Sequence, residues 1–190
     1  MIAYKAFETG LICRGYQFIL GKNVTDKANC VRNGFHCAEN PLDMFTYYPD
    51  IEKSEYWIVK AHGDLDEDGR DSKISCTELT PVKRLKIEEV AAAALIYIRA
   101  HPLRSKNGYQ FTKQGYFRLS RDKEPVLKGK LGEWLCFAKD DGAEIRINLF
   151  KVDGEKIKAG VFYNIDGKPA KGERNGKTVR RNARNTARGN

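Results

Sequence analysis

The stretch GFHCAENPLDMFTYYPD, residues 34–50, carries the signals that decide how the first part of this chain folds. A short β-rich run leads to Asn40, which directly precedes Pro41, and Asp43 follows in the next turn. A capping Asn, a proline at the first helical position and an early acidic residue together indicate the start of a helix. Pro49 ends this helix early. The stretch therefore predicts a strand that passes directly into a short capped helix.

Several other segments alternate between polar residues and β-branched or aromatic ones, which is the pattern of half-buried strands. Two pairs of such runs surround turn signals and predict hairpins. One hairpin covers residues 54–80 around the acidic segment DLDEDGRD, and the other covers residues 133–154 around Asp141 and Gly142. Single strands are predicted for the segments MIAYKAF, YQFILG, NGFHCAEN and AGVFYNIDG.

The segment KIEEVAAAALIYIRAH, residues 86–101, is the clearest helix in the sequence. Apolar residues recur at helical spacing from Ile87 to Ile98, and Glu88 and Glu89 suit the positive end of the helix dipole. The sequence thus predicts an α+β fold of mostly antiparallel strands and hairpins, with one main helix and one short capped helix.

The length of the chain, 190 residues, favours one domain with a small appendage. We expect a single α+β domain over residues 1–170, with the sub-parts 1–102 and 103–170. Beyond it, residues 171–190 lack any apolar periodicity and are expected to form a basic tail that is disordered on its own.

The positive charge of the chain is concentrated at its end. Residues 168–190 contain eight basic residues and one acidic residue, so this segment carries seven of the nine net positive charges. Arginine offers a planar fork of donors that fits phosphate and carboxylate groups, so nucleic acid is the first expected partner and an acidic protein surface the second. The alternative is a tail that only keeps the protein in solution. The expected binding residues are Arg174, Lys177, Arg180, Arg181, Arg184 and Arg188.

Composition argues against several classes of protein. No apolar run approaches the roughly 20 residues of a membrane helix, and the opening residues MIAYKAFETG lack the basic and apolar segments of a signal peptide. The five cysteines are scattered without a CxxC pair, which argues against a zinc ribbon or a redox motif. We therefore expect a cytosolic protein with reduced thiols and no membrane partner.

Three blocks of the sequence resemble a family of phage and prophage proteins that is known only as a domain of unknown function. They are YKAF with CRGYQF, then GFHCAENPLDMFTYYPD, and then KVDGEKIKAGVFYNIDG, so the resemblance covers roughly residues 1–100 and 129–167. In that family a cysteine usually precedes the Glu-Asn-Pro step directly, whereas here Ala38 takes this position and Cys37 lies one place earlier. Successive strand residues face opposite sides, so this shift argues against an indispensable thiol. The resemblance implies a phage or prophage origin and the cytoplasm of a bacterial host.

The order of elements also resembles that of ADP-ribosyltransferases. That resemblance implies an early arginine, here Arg14, a helical tyrosine that holds nicotinamide, here Tyr47 or Tyr48, and a later glutamate, here Glu78. NAD would be the substrate in that case. The chain departs from the enzyme pattern because it has no Ser-Thr-Ser step and no Glu-x-Glu pair. Catalysis of this kind is therefore the alternative and not the leading hypothesis.

His36 and Cys37 are a further candidate for chemistry, as a base and a nucleophile. Adjacent residues of a strand point to opposite faces, so these two side chains cannot pair with each other. His62 or His101 would have to approach Cys37 instead. The favoured interpretation is structural, a buried cysteine beside a hydrogen-bonded histidine.

The spacing of potential ligands suggests two candidate metal sites. The acidic segment that starts at Asp64 matches the first half of a calcium loop, but Ser75 stands where the closing glutamate should be. The second candidate is a zinc site formed by Cys13, Cys30, His36 and Cys37. The spacing of these residues matches no standard zinc motif, which argues against the site. We expect no metal.

Together these observations favour a phage-encoded accessory protein that acts by binding, without a cofactor. Its expected partner is a host protein or ribonucleoprotein, and inhibition of a nucleic-acid-guided host defence complex is the expected effect. His36 and Glu39 are the candidate contact residues on the body of the protein, because they lie at the polar edge of the 34–50 corner.

Overall fold

Antiparallel strands make up most of the structure, and one main helix and one short helix complete it. The computed structural model describes residues 1–67, 69, 71–101, 109–111, 117–120, 124–140 and 144–172, with the backbone alone at 109–111 and 140. The α+β class predicted from the sequence is confirmed. Within these residues, no helix is both long enough and apolar enough to cross a membrane.

The elements follow one another along the described residues in two groups. The strands of the first group are β1 (Ile2–Glu8), β2 (Ile12–Cys13), β3 (Tyr16–Gln17), β4 (Asn23–Val24), β5 (Phe35–Ala38), β6 (Ser54–Glu67) and β7 (Lys73–Leu85). A 3-10 turn, Pro41–Asp43, leads into helix α1 (Met44–Tyr47), and helix α2 spans Ile87–Ala100. The strands of the second group are β8 (Tyr109–Phe111), β9 (Phe117–Ser120), β10 (Val126–Leu127), β11 (Trp134–Asp140), β12 (Ile145–Lys151) and β13 (Tyr163–Asn164).

Strands β1 to β7 form one sheet, and four of them close into a ring. β1 pairs with β6 along its whole length, β6 pairs with β7, β7 pairs with β5, and β5 returns to β1. The last of these contacts is a single pair, Tyr4 opposite Ala38. Since side chains alternate between the faces of a strand, every second residue points into the ring. The buried residues there include Ala3, Phe7, Phe35, Cys37, Val59, Ala61, Ile74 and Cys76.

The predicted hairpin over residues 54–80 is confirmed, but its strands are longer and its turn lies later. Residues 64–67 of the acidic segment, predicted as a turn, continue strand β6. The hairpin bends at a register shift between His62 and Leu65. Gly63 permits this shift, because its φ of +74° suits glycine and a Cβ there would collide with Thr77 Oγ1.

The strand predicted for YQFILG is wrong beyond its first two residues, since β3 ends at Gln17. The side chain of Asn23 takes up the main-chain groups of Ile19, accepting its N–H at 3.0 Å and donating to its carbonyl oxygen at 3.2 Å. Ile19 and Leu20 are consequently left outside the sheet, 58% and 73% exposed.

The second predicted hairpin is confirmed as β11 and β12, whose turn residues Asp141 and Gly142 lie outside the described residues. These strands belong to a four-stranded sheet in the order β12-β11-β9-β8. The pairing of β9 with β11 is parallel, which the sequence did not predict.

The helix start at Asn40 is confirmed in atomic detail. The Asn40 side chain accepts the N–H of Leu42 at 3.1 Å, with Pro41 between them. Asp43 accepts both the hydroxyl and the N–H of Ser72, at 2.6 and 3.1 Å. The Ser72 hydroxyl in turn accepts the N–H of Asn40 at 2.8 Å. The capped turn is therefore tied to the beginning of β7.

Helix α2 lies between the two sheets and joins their cores. Its apolar face packs in one buried cluster with Ala6 and Phe45 on one side and Phe117 and Cys136 on the other. The buried residues of the helix are Val90, Ala91, Ala94, Leu95 and Ile98. The sub-parts 1–102 and 103–170 thus share a core. That they form a single domain remains a prediction.

Replacement of Asn40 by alanine should lower the free energy of unfolding by about 1 kcal/mol, because the N–H of Leu42 loses its acceptor. Asn29→Ala is the control, since Asn29 is exposed and bonds through its main chain. Urea unfolding followed by circular dichroism measures both variants. Equal stability of the two variants would contradict the capping role.

Candidate functional site

A cavity of about 720 Å³ opens where β1 and β5 separate. The strands pair at Tyr4 and Ala38 and then diverge, so β1 lines one side and residues from Asn33 onward line the other. The β2–β3 hairpin and the segment from Asp43 to Tyr48 complete the walls. The volume lies within the range of roughly 300–1,000 Å³ that small-molecule sites occupy.

Lys5 extends from β1 into the interior of the ring and is 5% exposed. Its Nζ donates to the carbonyl oxygen of His36 at 2.8 Å and to the Sγ of Cys13 at 3.4 Å. The ammonium group also lies 5.1 and 5.3 Å from the ring centroids of Phe7 and Phe18. The side chain therefore bridges β1 and β5 beyond the point where their main-chain pairing stops.

At the cavity wall, the thiol sulfur of Cys13 accepts hydrogen bonds from two donors. Besides Lys5, the hydroxyl of Tyr48 donates to its Sγ at 3.1 Å. Burial raises the pKa of Tyr48, and its hydrogen bond with Cys13 raises it further. Tyr48 consequently remains a neutral phenol near neutral pH, and its hydroxyl acts as a donor.

Aromatic rings form the apolar part of the wall. Phe18 lies at the centre, with its ring centroid 5.1 Å from Phe7, 4.7 Å from Tyr16 and 4.9 Å from Phe35. The rings meet edge-on or tilted, the arrangements that aromatic pairs prefer. Tyr16 is 44% exposed, so one ring of this group remains open to solvent.

Tyr47 stands at another side of the cavity and is 51% exposed. Its hydroxyl donates to Asp71 at 2.8 Å and accepts from the Nζ of Lys73 at 3.0 Å, and this Nζ also lies over the tyrosine ring. Burial is the main cause that raises the pKa of Tyr47, so this residue too remains a phenol.

Two residues at the cavity have left-handed backbones that are rare outside glycine. Arg14, with a φ of +51°, precedes Gly15 in the two-residue turn between β2 and β3. Val31 has a φ of +75°, and its N–H donates to the Nε2 of His36 at 3.0 Å. Such conformations cost of order 1–3 kcal/mol for residues of this kind.

The charge around the cavity is positive on balance. Among the described residues that line it, four are basic and two are acidic. Asp43, one of the two acids, already bonds to Ser72. The basic residues are Lys5, Arg14, Arg32 and Lys73, and the acidic ones are Glu8 and Asp43.

The structure brings together most of the residues that the sequence singled out on the body. Arg14, His36, Tyr47 and Tyr48 all line the cavity. Glu78 does not line it, since it lies on β7 and forms an ion pair with Lys22 at 2.8 Å. Glu39 is half-buried beside the cavity, and its N–H donates to the carbonyl oxygen of Ser72. The tail candidates Arg174, Lys177, Arg180, Arg181, Arg184 and Arg188 lie outside the described residues.

Cys37 faces another thiol and not a base. A hydrogen bond with Cys76 and burial both raise the pKa of Cys37, so it stays protonated inside the ring. His62 is exposed on β6, and His101 stacks on Tyr97 at a centroid distance of 4.0 Å. Neither histidine therefore serves Cys37 as a base. In the part of the chain that is described, no three His, Cys, Asp or Glu residues are arranged to hold a metal ion.

Of the two central residues, Lys5 is not indicated by the sequence analysis and Cys13 is considered there only as a zinc ligand. In the strand IAYKAFE, Lys5 falls between Ala3 and Phe7, and all three alternate onto one face. A charged residue on the apolar face of a strand is the signal that could have identified Lys5. The position of Cys13 depends on long-range packing and carries no comparable local signal.

Fold and cavity define an α+β protein with an open, aromatic and positively charged cavity beside a closed ring of strands. Residues 1–93 match a protein family described as "Domain of unknown function (DUF7666)". This span covers the cavity-lining residues, and a domain of unknown function at this position agrees with the resemblance seen in the sequence. No curated protein and no solved structure matches the chain.

Cys13 should react with iodoacetamide before the other four cysteines, because it is half-exposed at the cavity whereas they are buried. Burial also raises the pKa of Cys136, which keeps that thiol protonated and slow. Peptide mass spectrometry after timed alkylation of the native protein resolves the sites. The Cys13→Ser variant should lose the fast phase, and fast labelling of Cys136 would show that the core is more open than described.

Proposed function

We propose that this chain is a phage- or prophage-encoded accessory protein that works by binding in the cytoplasm of a bacterial host. Its partner is a host protein or ribonucleoprotein, and its effect is to inhibit a nucleic-acid-guided defence complex. The setting rests on the resemblance of the 34–50 block to phage proteins. The binding role rests on the cavity.

The observation that carries the binding role is the assembly of open aromatic rings and cationic side chains around one cavity. Tyr47 and Tyr16 expose about half of their surface there, and Arg14 lies at the tip of a hairpin beside them. Partly exposed aromatic and arginine side chains are the residues that dominate binding energies at interfaces.

The protonation states of two cavity tyrosines also favour binding over proton transfer. Tyr47 and Tyr48 have raised pKa values and stay neutral donors near neutral pH. The Nε2 of His36 accepts the N–H of Val31, so this nitrogen is engaged in holding a loop. Tyrosines in this state act as hydrogen-bonding groups, whereas a general base needs a pKa near the working pH.

In this proposal the tail adds a second, electrostatic contact. Its arginines neutralise phosphates of a nucleic-acid component or acidic groups of a protein surface. The tail contains no aromatic residue from Glu173 onward, so it contributes little base stacking and little sequence preference.

The tagged full-length chain should capture a partner from bacterial lysate, and removal of residues 173–190 should weaken this capture. The buried clusters of the described residues lie between Ala3 and Ile165, so the shortened chain should keep its melting temperature. With purified nucleic-acid partner, each phosphate contact adds about −0.9 to the slope of log K against log salt for a duplex and about −0.7 for a single strand. Four to six tail contacts correspond to a slope difference of roughly 3 to 5.

A nuclease arm separates the two kinds of partner. Loss of capture after nuclease treatment supports nucleic acid, whereas unchanged capture that still weakens with salt supports an acidic protein surface. The Tyr47→Ala variant tests the cavity, with Leu131→Ala as its control, because Leu131 is 69% exposed and lies outside the cavity. Equal capture by every variant would contradict a role for both the cavity and the tail.

ADP-ribosyl transfer is the second candidate, because Arg14, Tyr47 and Tyr48 line the same cavity. Since Glu78 lies elsewhere, the carboxylates available at the cavity are Glu8 and Asp43. If the chain is such an enzyme, incubation with labelled NAD and lysate should transfer ADP-ribose to a macromolecule. Arg14→Ala should then abolish the transfer and Glu8→Gln should lower it strongly, whereas Glu78→Ala should leave it unchanged. No label above that of a boiled sample would remove this candidate.

A further inference from the structure

Three residues at the cavity have features that, taken alone, destabilise the fold. Lys5 places a charge inside an apolar ring, and Arg14 and Val31 hold left-handed backbones that their side chains disfavour. All three line one cavity. Conflicts between local preference and global fold are expected at functional sites, where another requirement maintains them.

Lys5 is the clearest of these three destabilising features. Buried charges are normally paired with an opposite charge. Within the described residues, its Nζ has a carbonyl oxygen and a thiol as hydrogen-bond acceptors and forms no ion pair with a carboxylate. An ammonium group carries three N–H donors, so one donor remains beyond these two bonds. A bound anion would supply both the missing acceptor and the missing charge.

Arg14 adds a second cation at a position where the backbone favours a different residue. The turn between β2 and β3 has positive φ at both central residues, Arg14 and Gly15. Asparagine followed by glycine is the preferred pair in such a turn. An arginine there brings a planar guanidinium fork to the mouth of the cavity, and this fork fits the oxygens of a phosphate.

We infer that the cavity binds a nucleotide, whose phosphate is neutralised by Lys5 and Arg14 and whose base lies against Tyr16, the exposed ring of the aromatic wall. The inference rests on the proposal that the cavity is the binding site of the body. A cavity of about 720 Å³ accommodates a ligand of this size. Aromatic rings bind bases by stacking, and the hydroxyl oxygen of Tyr48, whose proton is donated to Cys13, can accept from the amino group of a base.

Calorimetric titration of the full-length chain with AMP, GMP, CMP and UMP tests this assignment. Adenosine and inorganic phosphate serve as half-ligands. At least one nucleotide should bind, and each half-ligand should bind at least tenfold more weakly, since each lacks half of the contacts. A half-ligand that binds as tightly as the nucleotide would overturn the inference.

Two variants each remove one positive charge from the cavity. Lys5→Met keeps the length of the side chain but removes the buried charge together with its bonds to His36 and Cys13, so its melting temperature is measured first to establish that the ring stays folded. Arg14→Asn places the preferred residue in the turn. Both should weaken nucleotide binding by about tenfold or more, the typical effect of losing a charge-assisted hydrogen bond. Lys60→Met, at an exposed lysine on β6, should bind nucleotide like the unaltered chain.

The outcomes separate this inference from the proposed function. Capture of a partner from lysate without binding of any nucleotide would overturn the inference and leave the proposed function standing. Nucleotide binding that depends on Lys5, without any captured partner, would support the inference and contradict a macromolecular target. Equal nucleotide affinity of the unaltered chain and both charge variants would overturn the assignment of the phosphate site.

Discussion

Strands β1 and β5 pair at one position, and the rest of the first sheet is arranged around this short contact. β5 is only four residues long, because the capped turn that begins at Asn40 ends it and Gly34 starts it. A Cβ at residue 34 would collide with Ser75 Oγ and approach the Cα of Ala28 to 3.0 Å. Only glycine therefore fits at the residue that precedes β5. The ring therefore closes with a gap beside the contact. Lys5 and the aromatic side chains line that gap, and the cavity is its result.

The local elements could be predicted from the sequence because their signals lie within a few residues. Asn40 with Pro41, and the apolar spacing of α2, were sufficient for the two helices. The longer reach of β6 was missed, because its acidic residues resemble a turn until they are paired with β7. The short β3 was missed for the opposite reason, since the Asn23 side chain bonds to groups that a strand would use. In both cases a contact distant in sequence overrode the local pattern.

The sequence predicted only part of the candidate site. The remaining residues were missed for a similar physical reason, namely contacts distant in sequence. Arg14, Tyr47 and Tyr48 were named through a resemblance of element order, and the structure places them at one cavity. Glu78 was named by the same route, but the register of β7 directs it to Lys22. Lys5 was not named at all, because a lysine in a strand usually faces water and its inward orientation depends on ring closure. Residues whose role depends on how strands close are the ones that sequence order does not reveal.

The position of α2 between the two sheets has a consequence for how this protein is assembled from parts. The family match ends at residue 93, inside the helix, whereas the buried residues Ala94, Leu95 and Ile98 follow that point. The matched span thus stops halfway along a helix whose apolar face must be covered by other residues. Here Phe117, Leu119 and Cys136 provide this cover. A chain that ended at residue 93 would divide the helix and lose the residues through which its apolar face reaches the second sheet, so the two sheets depend on one shared helix.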